Sequence, residues 1–226
     1  MLTLYDLEDS RGRRVEWVLR ELNLEYNIER FSRDSDGKAH DDLQKVHPSG
    51  KAPVLRDGDI LIAESGFIVT YLIQRYGPES DLLGKTEEEK AYIGYGIVTC
   101  ESNFQIYQTM LMIHQKARKK MPWAISGVGN KVLDSVDNAY PLPGLASALD
   151  ELNERITANN GYYIGGRLTA ADIMFEFALK GVIKRQHFKD FEKRWPALVK
   201  YHQEMETLGD RALASKQELV KNVVTH

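Results

Sequence analysis

Ser10 lies where the sequence changes from a strand pattern to a helical pattern, in the run Ser10-Arg11-Gly12-Arg13-Arg14. A serine at this place is suited to cap a helix, because its oxygen accepts a backbone N–H. A hydroxyl that accepts with its oxygen still has a proton to donate. Donated to a bound thiol, that proton would stabilise the thiolate, which is the nucleophilic form, and a helix N-terminus adds positive potential at the same spot. Ser10 is therefore a candidate for both roles.

The run Lys51-Ala52-Pro53-Val54 places a proline directly before a predicted strand. A proline is tolerated at the first residue of a strand. A cis bond before Pro53 would turn the backbone sharply and present the N–H and C=O of Ala52 like a free strand edge. An extended peptide could pair there by strand-type hydrogen bonds. Since few X–Pro bonds are cis, the run alone is a weak signal.

Glu64-Ser65-Gly66 joins the end of a predicted strand to the start of a helix. Ser65 has the position of an N-cap, so capping is one interpretation. The other is recognition of an amino-acid head group. The Glu64 carboxylate would meet an ammonium group, while the Ser65 hydroxyl and the helix N–H groups would meet a carboxylate.

Thr169 and Asp172 have the spacing of an N-terminal capping pair, and Leu168 precedes them as a hydrophobic staple. The structural interpretation is the favoured one for this motif. We expect Thr169 and Asp172 to matter for folding and not for catalysis.

The elements around the first three motifs follow from changes of hydrophobic period along the first third of the chain. Alternating apolar residues predict strands, and apolar residues three or four apart predict amphipathic helices. Asp-Gly between two apolar runs also predicts a hairpin. The predicted positions are a strand over Leu2 to Leu7, a helix over Arg13 to Leu22, a strand over Tyr26 to Phe31, a loop over Asp34 to Gly37, a short helix over Leu43 to Val46, a hairpin over Val54 to Ile62 and a helix over Ser65 to Tyr76.

The remaining two thirds of the sequence predict helices only. Thr86 and Glu89 form a capping-box pattern, so a long helix begins there and runs toward Lys120. The other helical regions are expected over Lys131 to Ala158, interrupted near Pro141 and Pro143, from about Thr169, and from Pro196 to Leu208. The sequence thus predicts an α/β domain over residues 1–80 and an all-α domain over 86–226.

Composition limits the classes of partner. Thirty basic and 33 acidic residues give a formal net charge of −3, which offers no general attraction to nucleic acid or to an anionic membrane. The single cysteine, Cys100, excludes an internal disulfide framework, makes a cysteine-based metal site unlikely to form, and is expected in the core. The six histidines form no cluster that predicts metal binding. No apolar run approaches the roughly 20 residues needed to span a bilayer, and a cytoplasmic location is expected.

The order of these motifs resembles that of the cytosolic glutathione transferase family, over nearly the whole chain. The first run resembles the fungal and bacterial branch of the family, and the other three resemble its cis-proline loop, its glutathione-binding turn and its C-terminal capping motif. The four matching runs are Ser10 to Leu22, His47 to Leu55, Ala63 to Ile68 and Gly165 to Ile173. The resemblance implies a thioredoxin-like first domain followed by an all-helical second domain.

The resemblance also implies how glutathione, as co-substrate, would be held. Glu64 and Ser65 would hold its γ-glutamyl end. The backbone of Ala52, set by Pro53, would pair with the cysteinyl portion. Lys51 would neutralise the glycyl carboxylate.

The residue that activates the sulfur is left open by the sequence. Ser10 would face the thiol, and it lies nearer the expected start of the first helix than Tyr5. Many family members use a tyrosine near the end of strand one, so Tyr5 is an alternative, and backbone amides are a third.

The second substrate is expected between the two domains, against the long helix. Phe104, Tyr107 and Met110 are the candidate contacts, with ordinary core packing as their other interpretation. The implied activity is attack of the glutathione thiolate on small hydrophobic electrophiles, a detoxification reaction that needs no metal. Glutathione-dependent peroxide reduction, reductive cleavage and a non-catalytic glutathione-binding scaffold are the alternatives, and a homodimer is the implied assembly.

Overall fold

The amino-terminal part of the chain folds as its alternating periodicities predict. The computed structural model describes residues 1–34 and 41–226, so the part of the predicted loop from Ser35 to Gly37 lies outside the described residues. Strand β1 (Leu2–Leu7), helix α1 (Gly12–Glu21) and strand β2 (Tyr26–Phe31) form a β–α–β unit whose strands run parallel.

A second unit follows the short helix α2 (Leu43–Val46). It contains the hairpin strands β3 (Val54–Asp57) and β4 (Ile60–Ala63) and helix α3 (Ser65–Tyr76). The predicted hairpin is confirmed, with Gly58 and Asp59 as its two turn residues. Gly58 has a φ of +58°, a conformation that favours glycine.

The strands assemble into one mixed sheet in the order β4-β3-β1-β2, with a fifth strand beyond β2. β1 pairs with β2 in parallel and with β3 antiparallel. This is the expected thioredoxin-like arrangement. It brings the carboxyl end of β1, the start of β3 and the end of β4 to the same edge of the sheet, where the first three sequence motifs lie.

The fifth strand corrects the prediction that only helices follow residue 86. Strand β5 (Val220–Thr225) pairs in parallel with β2, with a register irregularity between Tyr26 and Asn27. The buried Arg20 of α1 donates hydrogen bonds to the carbonyl oxygens of Ser215 and Lys216, 2.7 and 2.6 Å away. The strand escaped prediction because its side chains are mostly exposed and its partner lies nearly the whole chain away, so no local turn marks it.

The predicted long helix contains a π-helical turn. Helix α4 (Glu87–Thr99) leads through the turn at Cys100–Phe104 into helix α5 (Gln105–Lys120). The predicted start is confirmed, because the Thr86 hydroxyl accepts a hydrogen bond from the Glu89 N–H at 3.1 Å. A π-helical turn contains more residues than an α-helical turn. It therefore changes which side chains share a face in the helix that follows.

The remaining helices differ from the prediction in their boundaries. Helices α6 (Trp123–Ala139) and α7 (Pro141–Ala158) meet at Tyr140, and they are followed by α8 (Ala170–Arg185), α9 (Phe191–Arg194) and α10 (Pro196–Ala214). The break at Pro141 is confirmed, since proline is favoured in the first turn of a helix. The expected start at Lys131 is wrong. The helix begins at Trp123, and Gly127 and Gly129 lie inside it.

Helix α8 is the centre of the helical domain and is buried along most of its length. Its first turn contains the predicted capping pair. Asp172 accepts hydrogen bonds from the backbone N–H and the hydroxyl of Thr169, at 2.8 and 2.7 Å, and from the Tyr163 N–H and the Tyr201 hydroxyl. Burial raises the pKa of Asp172 to about 6, although these hydrogen bonds lower it. The structural interpretation of this motif is confirmed.

Cys100 belongs to the hydrophobic core, as expected. Its side chain is fully buried and forms no disulfide, and burial raises the pKa of its thiol to about 12. The thiol therefore stays protonated near neutral pH. In the part of the chain that the structure describes, the helices lack the combination of length and apolar character that a membrane span requires.

Candidate active site

A cavity of about 430 Å³ lies beside the sheet edge where the three N-terminal motifs meet. Its lining includes every residue assigned to glutathione by resemblance: Ser10, Lys51, Ala52, Pro53, Glu64 and Ser65. Met112 of α5 and Phe177 of α8 line it from the helical domain. The cavity is therefore an interdomain site with a polar wall and an apolar wall.

Ser10 lies in the turn between β1 and α1, partly exposed to this cavity. Its oxygen accepts a hydrogen bond from the Gly12 N–H at 3.0 Å, but the N-cap of α1 is Arg11 and not Ser10. Its hydroxyl donates to Oδ1 of Asp6, also at 3.0 Å. In the free protein, the Ser10 hydroxyl proton, which the sequence suggests would face a thiol, is therefore donated to the Asp6 carboxyl group.

Asp6 is buried beneath this turn and supports it from below. The Leu7 N–H donates to its Oδ1 at 2.8 Å, and Arg30 lies 3.7 Å from its other oxygen. Burial raises the pKa of Asp6, and the Ser10 hydrogen bond lowers it. A Cβ added at Gly12 would come within 1.8 Å of Oδ1, so only glycine leaves room for Asp6 beneath Ser10.

Tyr5, the alternative activator, has a different environment. Its side chain is buried in a small cluster with Leu7, Phe31 and Val54, and its hydroxyl accepts a hydrogen bond from Arg56 Nε at 3.3 Å. Tyr5 is not among the residues that line the cavity.

The loop before β3 has the backbone that the sequence motif suggests. The Ala52–Pro53 peptide bond is cis, and Pro53 is buried while Lys51 is exposed. Gly50 has a φ of +59°, and a Cβ there would lie 2.8 Å from Gln44. The loop therefore presents the backbone of Ala52 and the ammonium of Lys51 to the same cavity.

Glu64 and Ser65 lie between β4 and α3, on the opposite side of that loop. Glu64 is exposed and has a φ of +73°, a left-handed backbone conformation that non-glycine residues seldom adopt. Such strain concentrates where function requires it. Ser65 is buried and is the first residue of α3, not its N-cap, so the capping interpretation is wrong for this residue.

The Ser65 hydroxyl belongs instead to a charged cluster that joins the two domains. It donates to Glu101 Oε1 at 2.8 Å and accepts from Nη1 of Arg14 at 3.2 Å. Arg14 is fully buried and also pairs with Glu101. Arg11 reaches the second Glu101 oxygen at 2.8 Å. Glu101 belongs to the π-helical turn, so the helical domain orients a residue of the predicted glutathione site.

The three predicted contacts for the second substrate lie elsewhere. Phe104 is buried in the core against Phe175, and Tyr107 packs edge-on against Tyr140. Neither these two nor Met110 is among the residues lining the cavity, whose apolar wall is Met112 and Phe177. The assignment assumed an uninterrupted α-helix from Thr86 to Lys120, and the π-helical turn changes which side chains face the cleft.

Sequence reasoning missed Asp6, Arg14 and Glu101. Arg14 is a charged residue in the largely buried helix α1, which was the available signal, because a buried charge requires a partner. Arg14 and Glu101 are 87 positions apart, and no pattern in the sequence around either residue predicts that they pair. Over residues 1–34 and 41–226, the structure contains no group of His, Cys, Asp and Glu side chains that could hold a metal ion.

Two family models match the chain. The model of the glutathione S-transferase N-terminal domain matches residues 4–80, and that of the C-terminal domain matches residues 123–208.

Named relatives match over most of their length. Glutathione S-transferase 1 of Saccharomyces cerevisiae is 32% identical over 193 residues, which cover 82% of this chain and 82% of the relative. Glutathione S-transferase 3 of Schizosaccharomyces pombe is 28% identical over 224 residues, covering 88% and 83%. Both relatives are fungal, in agreement with the branch that the first motif resembles.

Solved structures share the fold. A glutathione S-transferase from Actinobacillus pleuropneumoniae superimposes with a TM-score of 0.72 at 22% identity, covering 98% of this chain and 100% of that one. The glutathione transferase URE2P8 from Phanerochaete chrysosporium, solved with oxidized glutathione, gives a TM-score of 0.72 at 20% identity, with 96% of each chain covered.

Proposed function

The chain belongs to the glutathione S-transferase family, and from that premise we propose that it conjugates the thiolate of glutathione to small electrophiles with a hydrophobic part. The observation that carries the proposal is the convergence of Ser10, the cis Ala52–Pro53 loop and the Glu64–Ser65 turn on one interdomain cavity. Binding both reactants in one cavity would make the reaction effectively unimolecular.

Glutathione would bind along the polar wall of the cavity. The exposed Glu64 carboxylate is available for the γ-glutamyl ammonium, and the start of α3 at Ser65 is available for the adjoining carboxylate. The backbone of Ala52 would pair with the cysteinyl portion, and Lys51 would neutralise the glycyl carboxylate. This order directs the thiol toward Ser10.

Ser10 would activate the sulfur by turning its proton from Asp6 to the thiolate. Two observations support Ser10 over Tyr5: Ser10 lines the cavity, whereas the Tyr5 hydroxyl interacts with Arg56 in a separate cluster. The N-terminus of α1 adds positive potential at the same place. Lowering the thiol pKa from about 9 to about 7 requires about 2.7 kcal/mol, which a charge-assisted hydrogen bond and the helix terminus can supply together.

The chemical step would form a C–S bond from the thiolate to the electrophilic carbon and break the bond to the leaving group, which departs with its electron pair. The thiol proton is lost to solvent before the attack. Met112 and Phe177 offer the apolar surface for the electrophile. The buried, protonated Cys100 is unsuited to thiol-transfer chemistry.

We also propose that the enzyme is a homodimer. Phe67 of α3 and Tyr95 and Val98 of α4 are exposed by 59%, 45% and 63%. The two helices touch nearby, since a Cβ at Gly66 would lie 3.0 Å from Ile97. Exposed apolar side chains on adjoining helices are typical of an interface. Sedimentation of the wild type and of Phe67→Glu tests this, and a monomeric wild type would contradict it.

The first experiment is a titration of the purified protein with glutathione, following thiolate absorbance near ~240 nm. Wild type is compared with Ser10→Ala and Glu64→Ala, and Ser135→Ala, an exposed serine of α6, is the matched control. We expect thiolate at neutral pH in the wild type and the control. Ser10→Ala should bind glutathione without forming thiolate, and Glu64→Ala should bind it weakly.

Other outcomes identify the alternatives. Thiolate that persists in Ser10→Ala would assign activation to Tyr5 or to backbone amides. Binding without conjugation of any electrophile would favour a glutathione-binding scaffold, and turnover of hydroperoxides alone would favour a peroxidase. A protein that does not bind glutathione would contradict the proposed function.

A further inference from the structure

A second cavity, of about 350 Å³, adjoins the candidate active site on the helical-domain side. Asp9 and Phe177 line both cavities, so the two spaces share a boundary. Its other walls are α5, through Gln105 and Gln108, and the last two turns of α8. An electrophile seated against Phe177 therefore has this space within reach.

The charges in the second cavity are unbalanced. Among the residues that the structure describes, Lys180, Lys184 and Arg185 line it, and Asp9 contributes the single carboxylate. Lys180 is neutralised by Glu206 at 2.8 Å. Lys184 and Arg185 have no ion-pair partner among residues 1–34 and 41–226. Two cationic groups are therefore available to a ligand.

Arg185 is positioned by its surroundings. Its Nη1 donates to the Gly181 carbonyl oxygen at 3.1 Å and lies 3.5 Å from Oε1 of Gln108. Gln108 is itself buried and is fixed by a hydrogen bond from its Nε2 to the Ala178 carbonyl oxygen at 3.0 Å. A guanidinium held at the edge of a cavity is suited to bind a carboxylate, because its N–H groups match the two oxygens.

Basic residues in the last turn of a helix also stabilise the helix dipole, which is the purely structural interpretation of Lys184 and Arg185. That interpretation does not require a buried amide beside the guanidinium, nor a cavity that shares Asp9 and Phe177 with the candidate active site. It also predicts that loss of the charges changes stability and not substrate preference.

We propose that the preferred electrophile carries an anionic group, a carboxylate or a sulfonate, that binds Lys184 and Arg185 while its apolar ring packs on Phe177 and Met112. The inference rests on the proposed function. It narrows the substrate class from hydrophobic electrophiles to hydrophobic electrophiles that carry one negative charge. The polar wall of the active-site cavity would bind glutathione, and its apolar wall would bind the ring of the electrophile. The cationic second cavity would favour electrophiles whose ring carries a negative charge.

A matched pair of aryl chlorides tests the preference. In both 1-chloro-2,4-dinitrobenzene, which is neutral, and 4-chloro-3,5-dinitrobenzoate, which is anionic, the thiolate attacks the carbon that bears chlorine. A C–S bond forms, and chloride leaves with the electrons of the C–Cl bond. Since the two compounds differ in intrinsic reactivity, kcat/KM is divided by the uncatalysed rate constant for each.

The variants are Arg185→Gln, Lys184→Gln and the double substitution, with Lys200→Gln, an exposed lysine of α10, as the control for loss of one charge. We expect the wild type to favour the anionic chloride after correction. Each single substitution should lower its kcat/KM about tenfold, mainly through KM, as for loss of a charge-assisted contact. Turnover of the neutral chloride, the KM for glutathione and the unfolding temperature should change little.

The outcomes separate this inference from the proposed function. Conjugation of the neutral chloride without a preference for the anionic one would overturn the inference and leave the transferase intact. Equal losses for both chlorides would assign Lys184 and Arg185 a structural role and overturn it too. A raised KM for glutathione would mean that the cations bind glutathione, which also overturns it. No conjugation of either chloride by the wild type would overturn both proposals.

Discussion

The starts of α1 and α8 are built from the same parts. At α8, the Thr169 hydroxyl and backbone N–H both donate to the buried Asp172. At the turn into α1, the Ser10 hydroxyl donates to the buried Asp6 and accepts from the first N–H of the helix. Each pairs a hydroxyl with a buried carboxyl group at a helix N-terminus.

The two sites differ in access to solvent and to ligands. Thr169 is fully buried, and its hydrogen bonds satisfy groups that would otherwise be unpaired in the core. Ser10 is partly exposed and lines a cavity of about 430 Å³. The two hydroxyls make similar hydrogen bonds but differ in exposure. Exposure therefore distinguishes the Thr169 hydroxyl, which stabilises the fold, from the Ser10 hydroxyl, which a ligand can reach.

The largest expected effect is that of Asp172→Ala. The substitution removes the acceptor of four hydrogen bonds, two of them from backbone N–H groups, in the centre of the helical domain. We expect the free energy of unfolding to fall by about 3–5 kcal/mol, as for other broken buried networks. Urea denaturation followed by circular dichroism measures this, with the exposed Asp59→Ala as control. A loss under about 1 kcal/mol would contradict the structural role.

Gly12→Ala should disturb the Ser10 site through Asp6. The added Cβ would overlap Oδ1 of Asp6, which must move and give up its contacts with Ser10 and Leu7. We expect a loss of about 1–3 kcal/mol in stability, together with a fall in kcat/KM for glutathione conjugation. Gly94→Ala is the matched control, because its Cβ would meet no neighbour within 4 Å and alanine favours helix. Equal behaviour of the two variants would show that Asp6 has no influence on Ser10.

Ser10→Ala and Thr169→Ala compare the two hydroxyls directly. Each substitution removes a hydroxyl that makes hydrogen bonds at the start of a helix, a loss of about 1 kcal/mol. We expect Ser10→Ala to lower kcat/KM at least tenfold, because it removes the donor proposed for the thiolate. Thr169→Ala should leave kcat/KM unchanged at temperatures where it is fully folded. Steady-state kinetics and thermal unfolding on both variants measure the two effects, and a matching loss of activity in Thr169→Ala would refute the distinction.

The smallest effect concerns a third helix start, that of α4. Glu89 accepts hydrogen bonds from Arg167 and from the Lys85 N–H, and these interactions lower its pKa to about 2. A lowered pKa in the folded state means that its stabilising contribution is complete above about pH 4.5 and is lost as the pH falls through about 2. The difference in unfolding temperature between wild type and Glu89→Gln should be constant from pH 7 to about 4.5 and shrink below that. A difference that grows on acidification would contradict this assignment.

Most of the thioredoxin-like domain and of the proposed glutathione contacts could be predicted from the sequence, because both depend on local signals. Alternating apolar residues predict β1 and β2, Gly58 predicts the hairpin turn, and Pro53 predicts the loop before β3. Ser10, Glu64 and Ser65 follow from their places at strand-to-helix junctions. Ser10, Pro53, Glu64 and Ser65 line the same cavity.

What escaped prediction depends on contacts between distant parts of the chain. Glu101 approaches Arg14 and Ser65 only because a π-helical turn interrupts the helix and two domains pack together. The same turn moves the cleft-facing positions away from those that an unbroken helix implies, so Met112 lines the cavity while Phe104 packs in the core. A periodic pattern in one helix contains no information about either effect.

Strand β5 makes the sheet of the first domain depend on a segment that follows the whole helical domain in the sequence. Ser32 donates to the backbone of His226, 194 positions later, so the edge of the sheet at β2 is covered only after everything between has been synthesised. During translation, β2 would present an open edge for the whole time that the helical domain emerges, and open edges invite pairing with other chains. A nascent chain of this protein is thus exposed to aggregation at β2 until β5 has left the ribosome.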